Sequence, residues 1–180
     1  WQRDRALVLV AFIAVMLLGV LNGLLLAIGA SIVMLLKRMA QVRVSQLGQL
    51  PGTHSYVDVH LHPEAQVRAG VLVLRPEELL FFGNAESVFA TMAAQVQAQM
   101  QLGGLRAVVV SLEESPDLDS TTVEALVLFA DQMQALGVTL HLARVKDRLR
   151  DLLQRVNAPS LPASTYSGWS VDDVMNAIQP

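Results

Sequence analysis

The hydrophobic positions of this chain fall into two regimes. From Ala6 to Leu36 no charged residue interrupts the apolar side chains, whereas beyond Arg43 short apolar runs alternate with polar turns and with stretches of helical periodicity. The second regime centres on Arg106 to Leu136. Ala107-Val108-Val109-Val110-Ser111-Leu112 is a β-branched run with almost no polar interruption, which predicts a central strand buried on both faces of a sheet. Glu113 to Asp119 supplies acid and proline where the backbone turns, and either Ser120 or Asp119 offers the side-chain oxygen that caps a helix start. Val123, Leu126, Val127, Ala130, Met133 and Leu136 then recur at three- and four-residue steps, and Gly137 stands where a left-handed closing residue is favoured.

The same reading extends outward. Gly70 to Arg75 is a second buried strand, and Leu79-Leu80-Phe81-Phe82 is expected to return as its antiparallel partner. Asn84 is expected to cap a helix beginning near Ala85, with Val88, Phe89, Met92, Val96 and Met100 as the buried stripe and Gly103-Gly104 as the stop. Val138 to Ala143 is the next strand, and Leu149, Leu152, Leu153 and Val156 form the apolar face of a helix from Lys146 to Asn157. Ser170 with Asp173 opens a last short helix whose Val174, Met175 and Ile178 point inward. Upstream, Met39 to Pro63 reads as a connecting stretch carrying an edge strand at Tyr56 to His60. Short buried strands alternating with helices predict a small α/β layer with right-handed crossovers.

The apolar segment is a membrane element. As one helix, Ala6 to Leu36 would reach roughly 46 Å, well beyond a hydrocarbon core of about 30 Å. Gly19-Val20-Leu21-Asn22-Gly23 offers a break at its midpoint. The arms Leu7 to Leu18 and Leu24 to Leu36 would each reach about 20 Å, which predicts a shallow helical hairpin or a sharply kinked helix, with a plain tail anchor as the alternative. Gly29 and Ser31 suit close helix packing. Arg3, Arg5, Lys37, Arg38 and Arg43 flank the segment on both sides, where the positive-inside tendency places the cytoplasm. The start at Trp1, with no initiator Met and no cleavage pattern, reads as a fragment, the C-terminal end of a larger protein.

Composition changes this picture in three places. The 180 residues carry a net charge of −3, and the acids lie mostly beyond Arg43, which disfavours nucleic acid as a partner. The absence of Cys excludes disulfides and thiolate sites and fits a soluble part facing the cytoplasm. His54, His60 and His62 lie close together, but with no third ligand type at a recognised spacing they read as solvated loop and edge residues, not as a metal site. No nucleophile with a base, no paired carboxylates on a pocket, no metal-ligand spacing and no Gly-rich phosphate cradle followed by Lys stands out, so neither an enzyme nor a bound cofactor is expected.

At this point the chain resembles a family. Gly70 to Arg75, Leu79 to Glu86, Pro116 to Thr121 and Gly137 to Arg144 look like the STAS domain of SulP-type sulfate permeases, and the apolar segment looks like their last two membrane helices. Leu50-Pro51-Gly52-Thr53 and His62-Pro63-Glu64 fit the same pattern. The resemblance divides the chain into a transmembrane segment (1–38), a linker with an edge strand (39–69) and a STAS domain (70–180). It implies a homodimeric, multi-pass secondary transporter of inorganic or small organic anions in the cell (inner) membrane. The lipid bilayer and the remaining transmembrane helices of the same transporter would be its partners, and the anion site would lie outside this stretch. The STAS domain would be cytoplasmic and would influence transport rate, dimerisation or trafficking.

Ser120, with Asp119 and Thr121, is the candidate phosphorylation or regulatory site, because Asp119-Ser120 resembles the modified pair of the free-standing anti-sigma factor antagonists. Phosphate there would sit at a helix N-terminus but would face Glu113, Glu114, Asp117 and Asp119. The alternative reading of the whole chain is therefore a membrane-tethered phospho-switch module that binds a protein partner. Read without phosphate, Ser120 is a helix cap with Asp119 as its companion.

Overall fold

A computed structural model describes residues 9, 19–39, 42–166 and 169–178. The chain divides into two compact units, residues 1–41 and 42–180.

Of the first unit, the helix α1 (Val20–Met39) is described. Gly19 just before it has φ +82° and lies outside the helix, so the backbone departs from helical geometry at the first residue of the expected break. Asn22 and Gly23 are taken into the helix, so this arm starts four residues earlier than predicted and ends later. At 20 residues it reaches roughly 30 Å, a full hydrocarbon span where the sequence suggested a short one. The window Val20–Lys37 has a mean hydropathy of 2.0 and is long and apolar enough to cross a membrane. Its apolar side chains, such as Leu21, Leu25, Ile32 and Leu35, are exposed. Ser31 donates its hydroxyl to the carbonyl of Ala27 at 2.8 Å, which satisfies the group within the helix. The first arm, Leu7 to Leu18, lies outside the described residues apart from Leu9.

The second unit is one five-stranded sheet with helices on both faces. Its elements in chain order are β1 (Val44–Gln49), β2 (Tyr56–Asp58), β3 (Val71–Pro76), α2 (Ala85–Leu102), β4 (Ala107–Ser111), α3 (Ser120–Ala135), β5 (Thr139–Ala143), α4 (Asp147–Val156), a 3-10 turn (Ala163–Tyr166) and α5 (Val171–Ala177). The strand order is β2-β1-β3-β4-β5. β3, β4 and β5 are parallel, with Val71 opposite Ala107 and Val109 opposite His141, whereas β1 runs antiparallel to both β2 and β3.

Two expectations fail here. Leu79 to Phe82 is not a strand: β3 is flanked by β1 and β4, so no edge remains for it, and these residues form the turn that enters α2. Conversely, Val44 to Gln49, assigned to the linker, is a full member of the sheet. β2 does form its edge, over Tyr56–Asp58, shorter than the expected run to His60.

Alternation along the strands builds two cores. Leu72, Leu74, Val108, Val110, Leu140 and Leu142 face α2 and α3 and join the larger one. Val71, Val73, Ala107, Val109 and Ala143 face the other way and are covered by Val171, Val174 and Met175 of α5. β4 is therefore buried at all five positions, the outcome its uninterrupted apolar run predicts. On the larger face α2 and α3 meet through Phe89 and Phe129, whose rings stack with centroids 5.4 Å apart.

Candidate functional site: the acidic turn before α3

The loops that leave the carboxyl ends of β3 and β4 come together, the usual place for a site in an open α/β sheet. What joins them is side-chain chemistry from the acidic turn. Asp119 occupies the N-cap of α3 in extended backbone conformation, φ −73° and ψ 167°, and its Oδ1 accepts from the backbone N–H of Thr122 at 2.8 Å. Its Oδ2 accepts from the backbone N–H of Phe82, also at 2.8 Å. Ser115, buried, accepts from the backbone N–H of Leu80 at 2.9 Å. The two amides that a strand at Leu79 to Phe82 would have given to a neighbouring strand are thus satisfied by two side chains of the other loop.

Asp119 is therefore the cap, and Ser120 is not. Ser120 is the first helical residue, exposed, and Thr121 beside it is exposed as well. The hydrogen bond from the Thr122 amide is the largest influence on the Asp119 carboxyl and holds it below the usual carboxylate range. At the start of the preceding helix, α2, Asn84 does stand at the N-cap position, but its side chain makes no capping bond. Its Oδ1 accepts from the Phe81 N–H and its Nδ2 donates to the Leu79 carbonyl, closing the same turn on itself.

Beside the turn is a cleft of about 590 Å³ lined by Leu79 to Phe81, Asp117 to Asp119, and Arg148, Asp151, Leu152 and Arg155 of α4. Its two guanidinium groups face three carboxylates, and Arg148 pairs with Asp117 at 3.1 Å. That balance leaves no surplus of positive charge for a phosphate-bearing ligand. Ser115 and Arg148 are contributors that the sequence did not reveal: each acts on a residue more than thirty positions away, and no local pattern marks either.

The histidines are not brought together. His54 pairs with Asp172 of α5 at 2.7 Å, and His62 pairs with Glu64 at 3.2 Å. Among the described residues no group of three or more metal-ligating side chains converges.

Residues 62–167 match the STAS domain family. Over 153 residues, 85% of this chain, the sequence is 34% identical to a probable sulfate transporter of Mycobacterium tuberculosis, of which it covers 27%. It is 27% identical over 139 residues to sulfate transporter 1.3 of Arabidopsis thaliana, covering 74% of this chain and 21% of that protein. The fold is similar to that of murine Solute Carrier 26 family member A9, an anion transporter solved in the inward-facing state. The TM-score is 0.80 at 18% identity, over 97% of this chain and 28% of that one. The chain thus spans about a quarter of the length of the transporters it matches.

Proposed function

This chain belongs to the STAS domain family, and from that premise we propose that it is the last membrane-spanning part and the cytoplasmic STAS domain of a secondary anion transporter of the sulfate-transporter type. The observation that carries the reading is the similarity to the Mycobacterium transporter, which extends over 85% of the chain. The exposed apolar helix α1, of spanning length, supports it from the physical side. The STAS domain is its regulatory part, acting on transport rate, dimerisation or trafficking through contacts with the membrane helices of the same homodimeric protein. The anion is inorganic or a small organic one, bound elsewhere in that protein. The domain works by binding and not by catalysis: the carboxylate nearest in sequence to the Ser120 hydroxyl, Asp119, is committed to two backbone amides.

The test is anion uptake into proteoliposomes by the intact parent protein, with and without residues 42–180, screening sulfate, bicarbonate and dicarboxylates. Saturable uptake whose rate or assembly changes on truncation supports the reading; no uptake of any anion by a well-folded parent overturns it.

One observation favours the phospho-switch as a second reading: Ser120 and Thr121 are exposed on the first turn of α3. A phosphate on Ser120 would gain from the helix N-terminus, yet Asp119 already holds the Thr122 amide and, with Asp117, would repel the new charge. Intact-mass spectrometry of the protein purified from its own cells separates the two readings. A phosphorylated Ser120 that alters partner binding without altering flux would favour the switch.

A further inference from the structure

The outer sides of α2 and α3 leave a shallow groove of about 430 Å³ above the stacked Phe89 and Phe129 rings. Two large apolar side chains stand at it, Phe82 at 72% exposure and Leu128 at 69%. Single exposed apolar residues are ordinary. These two line one groove, and Phe82 is held in position. Its amide is fixed by Asp119 of the other loop, and its ring meets Phe81 edge-on at 5.4 Å. A side chain at Gly83 would displace the Phe81 ring, which comes within 2.5 Å of where its Cβ would stand. An exposed aromatic whose backbone is locked from a distant helix is preorganised as an anchor, because little freedom is left to lose on contact.

Charge then selects the occupant. The groove is lined by Glu86 and Glu124, and from Ala85 to Leu102 and from Ser120 to Ala135 the chain carries no Lys or Arg. The only charged residues of α2 and α3 are Glu86, Glu124 and Asp131. Nucleic acid and anionic lipid are repelled by such a surface. We propose that the α2/α3 groove docks a basic, amphipathic helical segment of a partner protein, which places apolar side chains between Phe82 and Leu128 and Lys or Arg side chains on Glu86 and Glu124. The recognition is that of a helix laid in a groove, with apolar anchors at three- and four-residue steps giving affinity and the acidic rim giving selection by charge.

The test uses the full chain in phosphatidylcholine nanodiscs, with empty nanodiscs as the blank. The probe is a fluorescein-labelled helical peptide of Leu and Lys with Leu at three- and four-residue steps, compared with its counterpart carrying Glu for Lys. Fluorescence anisotropy should show saturable binding of the Lys peptide, weakened by salt, and none of the Glu peptide. Leu128→Ser should weaken binding roughly tenfold. The double variant Glu86→Lys, Glu124→Lys should reverse the preference between the two peptides, a gain that misfolding would not produce. Absence of saturable binding overturns the proposal, as does equal binding of both peptides or binding indifferent to Leu128→Ser. A shift of oligomeric state in Leu128→Ser with no peptide binding also overturns it, because the groove is then an interface between copies of this chain.

Discussion

The carboxylate of Asp119 accepts a hydrogen bond from the backbone N–H of Phe82, 37 residues earlier in the chain, while its other oxygen caps α3. One side chain thereby fixes the start of a helix and the turn that precedes its neighbour.

Asp119→Ala should lower the unfolding free energy by about 1–2 kcal/mol, the usual cost of a lost N-cap, with the released Phe82 amide adding to it. Ser120→Ala should stay within about 0.5 kcal/mol, since its hydroxyl is exposed and outside the cap. Urea titration of both variants measures this; equal losses would show that the cap has been assigned to the wrong residue.

Acidification should weaken the same junction. The folded carboxyl of Asp119 titrates below its unfolded value, so its contribution is complete above the unfolded pKa and is lost as pH falls through the folded one. Stability of the wild type should therefore decline below about pH 4, and Asp119→Asn should flatten that decline. A wild-type profile that stays level down to acid pH would contradict the clamp.

His141 on the edge strand β5 lies opposite Val109, and burial pushes its imidazole below the ordinary histidine range. The unfolded chain then takes up a proton first as pH falls. Stability should drop from about pH 6.5 downward and level off once the folded imidazole is protonated. His141→Gln should abolish that segment of the pH profile, which thermal unfolding between neutral and mildly acid pH would reveal; an unaltered profile would place the effect elsewhere.

Arg68 ties the end of α5 to the sheet: its guanidinium donates to the carbonyls of Met175 and Ile178, the latter at 2.9 Å. A cation at a helix C-terminus also favours the helix dipole. Arg68→Met should raise hydrogen exchange in Val171 to Ala177 while leaving α2 and α3 protected. Uniformly faster exchange throughout the sheet would mean that α5 has no separate stability.

Gly137 closes α3 with φ +72°, and the amides of Gly137 and Val138 return to the carbonyls of Gln134 and Met133 in the paired pattern of a left-handed helix stop. Gly137→Ala should cost about 1 kcal/mol, although its Cβ would meet nothing within 4 Å, because the strain lies in the backbone. Gly137→Asn should cost less; thermal melts that rank the two the other way would argue for a steric cause.

The elements that could be read from the sequence are those whose cause is local. β4 follows from an unbroken β-branched run, α3 from its periodicity and its closing glycine, and α5 from the reciprocal bonds of Ser170 and Asp173, which form a complete capping box. The resemblance to a STAS domain rests on the same short runs and their spacing. Where distant partners decide, the sequence was mute or misleading. Leu79 to Phe82 has the composition of a strand, but the amides of Leu80 and Phe82 are taken by Ser115 and Asp119 and its place beside β3 is filled by β1. β1 itself, with Ser45, Gln46 and Gln49, looks polar until Leu47 is buried and Ser45 finds the Asp58 carboxylate at 2.7 Å. Ser120 reads from the sequence as the cap with Asp119 as its companion, because both carry a side-chain oxygen near the helix start; the cap is Asp119. What separates them is the backbone: Asp119 is the last extended residue and takes the local bond from Thr122. The Phe82 amide of the other loop adds a second bond that no local pattern contains.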